Sequence, residues 1–508
     1  MKKLLLSAAA LAFCTVGFAQ NNDSDVDQRG TLNTSGVLQV GGNNTSVVDQ
    51  DGRNNAAGGD SNSALVVQLG NRNASDVSSQ GDRNAAGVLQ VGNRNGATID
   101  QGVGYAEDNI ASTIQTGNRN TASQKQRYDN NQAFINSNGN RNTAMQDQSS
   151  MSENAPGNFA DIDQDGNRNM ASQTQRGEAN AAFITQDGNR NDATQTQTGD
   201  MNSATSTQTG NRNTSLESQD GDLNVSINTQ LGDDNMTDHA QKGDSNFAST
   251  TQTGTFNDSS IDQDGTGNGA ITAQLGTAND SDVEQDGTGN GSFVAQAGVG
   301  NISDVKQDGT TNGSLVLQLG VANNSDVDQV GTSNGSFVAQ LGAANSSTVS
   351  QDGAGNGSAV LQAGAVNNST VGQVGSLNGS LVAQAGVANG SLVAQAGIGN
   401  GSTVAQTGFG NGSIVGQLGL GNGSSVTQTG ALNGSLVGQA GGFNTSTVDQ
   451  NGILNGSAVG QLGVGNTSNV DQDGFLNGQV TGQLGTGHNA DTKQLGAGNG
   501  SITLQAGF

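Results

Sequence analysis

Between Gln384 and Gln395 the chain reads Q-A-G-V-A-N-G-S-L-V-A-Q. Asn389, Ser391, Val393 and Gln395 share one parity, and Gly390, Leu392 and Ala394 the other. A period of two is that of a β-strand, whose successive side chains point to opposite faces. The first set returns in nearly every copy of the segment. The second set varies, with Leu392, Thr403, Ile414 and Ser425 at one equivalent site. The constrained face is therefore assigned to the interior. The glycine two residues after each Gln supplies a reversal, so each strand is expected to end at Gln and the turn to lie between Gln and Asn.

The segment is one copy in a long array. Every eleventh residue from Gln164 to Gln505 is glutamine, 32 in all, and a glycine follows each by two places. An asparagine follows by five places from Asn169 to Asn499, with His488 the one exception. Val holds the third inner position without a break from Val283 to Val470. The full period is twice eleven, because Asp282, Asp304 and Asp326 recur every 22 residues while the intervening copies carry Phe293, Leu315 and Phe337. Two strands and two turns per coil, stacked in register, satisfy this alternation. Insertions agree: Gln101 to Gln115 is three residues too long and Gln148 to Gln164 five too long, and both extra stretches precede the retained Asn109 and Asn158. With Ala57, Ser79 and Ser137 read as stand-ins at glutamine positions, the count is 44 strands. The expected fold is all-β, a cross-β solenoid of about 22 coils of 22 residues. A hairpin meander would also repeat at 22, and Asn378-Gly379 and Asn389-Gly390 are hairpin dipeptides. The coil is preferred because both strand types present the same Gln- and Asn-bearing inner face, which a meander has no need of.

Composition changes this picture only at the margins. The 508 residues include 80 Gly, one Pro, one Cys and no Trp. Such a mixture would suggest disorder, but a disordered chain has no reason to hold register. MKKLLLSAAALAFCTVGFAQ reads as a secretory leader over residues 1–19, with Gly17 and Ala19 before the cleavage point. Cys14 lies inside it, so the mature chain is expected to have no thiol. The net charge is −26. That argues against nucleic acid as a partner, and no other segment is apolar enough to span a membrane. Residues 20–250 form an irregular, arginine-bearing stretch, and 251–508 a regular one with a valine core.

The pattern Q-x-G-x-x-N-x-[AS]-x-V-x-Q, carried by Gln384, Gly386, Asn389, Ser391, Val393 and Gln395, resembles the curlin-associated repeat of curli subunits. Gln406, Asn411 and Val415 continue the same ladder. The resemblance implies a bacterial protein exported through a dedicated outer-membrane channel, started by a nucleator, and polymerised into extracellular amyloid fibres that serve adhesion and biofilm. The chain departs from familiar subunits in its many more coils and in the polar residues at the valine site between Gln173 and Thr250. It stops still on consensus at Gln505-Ala506-Gly507-Phe508, which suits end-to-end addition. The rival reading is a monomeric solenoid adhesin that binds glycans or surfaces through its sides.

No catalytic constellation is expected, because every Ser and Asp occupies a repeat column. No cofactor or metal is expected either: the Asp161-Ile-Asp163-Gln-Asp165-Gly166 run opens like a calcium loop but has Ser172 where a bidentate Glu is required. Two charged columns stand out. Asp282, Asp304 and Asp326 should stack and repel, a gatekeeper arrangement that delays aggregation. Arg72, Arg94, Arg119, Arg141, Arg168, Arg190 and Arg212 each sit in Gly-Asn-Arg-Asn and form an expected docking column for an anionic glycan or a subunit partner.

Overall fold

A computed structural model describes residues 21–51, 60–103, 106–150 and 155–507. The leader, with Cys14, and the Ala57 stand-in lie outside them. The chain divides into two compact units, one up to Thr194 and one from Gln195. Among the described residues there is no helix, and strands alternate between two parallel sheets.

In the first unit Ser63–Asn71 pairs with Ala85–Asn93, while Thr45–Asp51 pairs with Ala74–Gln80 in the other sheet. In the second unit Gly379–Val387 is flanked by Gly357–Ala365 and Gly401–Phe409, and Gly390–Ile398 by Asn368–Ser376 and Gly412–Leu420. Each of these strands therefore pairs with the next strand but one, in parallel, 22 residues on in the second unit and up to 29 on where a connection of the first unit is lengthened. A meander would pair consecutive strands antiparallel. Each unit is a β-solenoid of two strands per coil.

Two details differ from the sequence expectation. Strands do not stop at Gln: Gly379–Val387 runs through Gln384 and Gly386, and the connection shrinks to Ala388 and Asn389. The reason is that Gly386 bends the backbone at φ 128° without leaving the ladder. The count is also lower. Among the described residues there are 43 strands, or about 21 coils, against the expected 44 and 22. The expected strand at Ala57 falls outside the described residues. The lengthened connections after Thr45–Asp51, Gly96–Val103 and Thr143–Ser149 all leave the same sheet. All three therefore lie on one edge of the first unit.

The core sits between the sheets. In the second unit a single buried cluster runs from Ala248 through Ile261 and the valine column to Val470. The first unit has two smaller clusters, one around Val66, Val77 and Ile99 and one around Ile135, Ile162 and Ile184. No coil could bury enough surface alone, so stacking carries the stability.

Candidate functional site

The chemistry of each coil faces its neighbours along the stack. Gln384, Asn389 and Gln395 are almost fully buried. Gln384 Nε2 donates to Gln406 Oε1 at 2.8 Å and, across the core, to the Asn368 carbonyl at 2.9 Å. Gln395 repeats this with Gln417 Oε1 at 2.8 Å and the Gly379 carbonyl at 3.0 Å. Gln406 hands on to Gln428 Oε1 at 2.8 Å. Each such bond joins two coils or two sheets and contributes about 1 kcal/mol net.

The asparagines run the other way. Asn389 N–H and Nδ2 both donate to Asn367 Oδ1 at 3.1 Å, one coil back, and Asn411 N–H donates to Asn389 Oδ1 at 3.1 Å. Asn389 Nδ2 also reaches forward to the Gly408 carbonyl at 3.3 Å. The turn residue before it, Ala388, holds φ 59°. A Cβ on Gly386 would lie 1.9 Å from the Gly408 carbonyl oxygen, so only glycine allows the coils to close at this bend.

Val393 and Val415 are fully buried in the valine column. Ser391 is buried beside it, yet its hydroxyl has no hydrogen-bond partner in the protein, as for most inner serines from Ser281 to Ser468. The serine column contributes small size and shape rather than bonding.

Polar side chains take over the valine site around Gln195–Thr250. Glu217 pairs in register with His239. Gln195 Nε2 donates to Glu217 Oε2 at 3.2 Å, and Ser215 Oγ donates to Glu217 Oε1 at 3.3 Å. His239 is held by Ser226 Oγ and Thr250 Oγ1, both at 2.8 Å. Burial pushes the Glu217 carboxyl up to about 8, against hydrogen bonds that favour the anion. Burial pushes the His239 imidazole down to about 3. Both groups are largely neutral at pH 7. Sequence reasoning identified these positions as breaks in the valine column but missed that Glu217 and His239 share a stack. The signal was their separation of 22 residues.

The acidic column lies on an outer face, Asp282 opposite Asp304 and Asp304 opposite Asp326. Partial burial raises all three carboxyls above the usual range, and the neighbouring carboxylates raise them further. The five strands of this sheet from Met236–Asp244 to Asn324–Thr332 carry 13 acidic side chains, against Lys242 and Lys306. Each lysine holds one carboxylate, Asp264 and Glu284 respectively, at 2.8 Å. Among the described residues no cluster of three or more His, Cys, Asp or Glu forms a metal site, and no helix is long and apolar enough to cross a membrane.

The arginines of Gly-Asn-Arg-Asn all occupy the turn position with φ between 58° and 62°. This left-handed conformation costs a residue with a side chain about 1 kcal/mol or more. Arg72, Arg94, Arg119, Arg141, Arg168 and Arg190 belong to the first unit and Arg212 to the second. Arg212 grips Asp234 through Nε at 2.6 Å and is thereby neutralised. The other six form no ion pair among the described residues.

These features define a two-sheet parallel β-solenoid whose interior is a set of stacked amide ladders. The family model of the curlin associated repeat matches residues 19–57, 156–188 and 166–199. Over those residues the chain is similar to curlin-repeat proteins. A search of curated proteins returned no match.

Proposed function

We propose that the chain is a secreted structural subunit that polymerises end to end into amyloid fibres for cell adhesion and biofilm matrix. One observation carries this reading: the coil-to-coil bonding is polar and self-complementary. Each glutamine donates to the coil that follows and accepts from the coil that precedes. Whichever coil comes last in such an array offers what the first coil of another copy accepts, a head-to-tail contact that need not close. The leader over residues 1–19 supports export to the cell surface of a bacterium, and the curlin repeat supports a dedicated outer-membrane channel and a nucleator as partners. Repeat columns in place of a singular constellation support a structural role over an enzymatic one. The acidic column of Asp282, Asp304 and Asp326 acts as a gatekeeper that slows premature stacking. The test is to incubate the purified mature protein at micromolar concentration and follow thioflavin fluorescence and electron microscopy. Unbranched fibres are expected. Persistent monomers would refute polymerisation and leave a lateral adhesin as the function.

A further inference from the structure

Among the described residues, six arginines of the first unit remain without a carboxylate, in a chain that carries 44 acidic residues. Other arginines of that unit do find partners among the described residues, although Arg176 does not: Arg83 binds Glu107 and Asp108 at 2.7 and 2.8 Å, and Arg127 binds Asp147 at 2.9 Å. The six differ in that all lie on one edge. The three lengthened connections lie on the opposite edge, so this one is uninterrupted. The fold itself does not ask for arginine here, because the second unit places Ala278, Gly300 and Ala322 at equivalent turns.

The row is also rigid. Arg94, Arg119, Arg141 and Arg168 each donate their backbone N–H to the asparagine carbonyl of the preceding coil, at 2.9–3.0 Å. The asparagines just before them form their own ladder: Asn93 Nδ2 donates to Asn118 Oδ1 at 3.0 Å, and Asn118 Nδ2 to Asn140 Oδ1 at 3.0 Å. Arg94, Arg119, Arg141 and Arg168 line a shallow groove with these asparagines. The arginine turns thus repeat once per coil, with backbones about 4.8 Å apart, and one Nδ2 hydrogen of Asn93 and of Asn118 is left for an acceptor.

We propose that this arginine edge binds an acidic polysaccharide lengthwise, one sugar ring per coil. Guanidinium forks suit carboxylate or sulfate groups, and the asparagine amides suit ring hydroxyls. Duplex DNA fits less well, since its phosphates wind around the helix axis, rising about 3.4 Å each per strand, and do not present one straight row. The inference does not depend on polymerisation.

The experiment measures binding of full-length mature protein to immobilised heparin and polygalacturonate, with dextran and duplex DNA as comparisons, in about 50 mM salt. Binding to both acidic polysaccharides is expected, with none to dextran and weaker binding to DNA. R94Q/R119Q/R141Q should lose about tenfold in affinity and show a shallower salt dependence. R94K/R119K/R141K should retain most of the binding, and R83Q/R127Q, which removes charge from paired arginines, should bind like the parent. Circular dichroism checks that each variant keeps its β-structure, and the lysine variant stands in if the glutamine variant does not. No binding by the parent, equal loss in R83Q/R127Q, or DNA binding as tight as heparin overturns the proposal. So does an arginine variant that changes only self-association, which would point to the acidic face of a second copy instead.

Discussion

At the scale of residues, the inner columns separate space from bonding. Gly386→Ala places a methyl against the Gly408 carbonyl and should destabilise its coils by several kcal/mol. Local hydrogen exchange around Gly379–Val387 and Gly401–Phe409 reads this loss, and unchanged protection would contradict it. Val393→Ala should cost about 2 kcal/mol through the cavity it leaves. Ser391→Ala should cost nothing or stabilise, because the hydroxyl it removes is buried without a partner. Urea denaturation of the two variants checks the contrast. Glu217 gives a pH prediction. Its folded pKa, about 8, stands above the ordinary 4.5. Its contribution to stability is therefore complete below pH 4.5 and is lost as pH rises through 8. His239, depressed to about 3 from 6.5, behaves oppositely: its contribution is complete above 6.5 and is lost as pH falls. Glu217→Gln should raise the melting temperature at about pH 9 and leave it nearly unchanged at about pH 4. Equal shifts at both values would contradict the burial argument.

At the scale of elements, the alternation of apolar and polar residues was enough to separate inner from outer faces, because a period of two leaves only two sides. The bend was less legible. Glycine after Gln marks a reversal in either a loop or a strand, and only the ladder continuing through Gly386 to Val387 shows which. The outer acidic column has its own prediction. The raised carboxyls of Asp282, Asp304 and Asp326 favour the stacked state at low pH, with stability lost as pH rises through their folded values. The triple change to Asn should speed assembly and raise thermal stability at about pH 7, with the difference from the parent vanishing near about pH 3. Assembly kinetics across that range test it, and a variant slower than the parent at neutral pH would remove the gatekeeper role.

At the scale of the whole molecule, net charge sets the threshold for association. With a charge of −26, copies repel at low ionic strength, and salt shortens the range of that repulsion to about 8 Å under physiological conditions. Raising sodium chloride should shorten the lag of assembly, whereas polysaccharide binding at the arginine edge should weaken under the same change. Light scattering and the binding assay can be run on one sample, and parallel responses would mean that one electrostatic surface serves both.

The sequence by itself determined the strand period, the inner face that Asn389, Ser391, Val393 and Gln395 share, and the pairing of residues 22 apart. It did so because a repeated coil sets every position against its own copy. Tertiary structure decided what depends on counting coils and on which edge a residue meets. It gave 43 strands among the described residues, gathered the three lengthened connections on one edge, and set Glu217 against His239. It also gave Arg212 a carboxylate while leaving Arg94, Arg119 and Arg141 without one among the described residues. Charge partners lie a full coil apart and depend on side-chain reach across the stack, and the order of residues along the chain does not encode that distance.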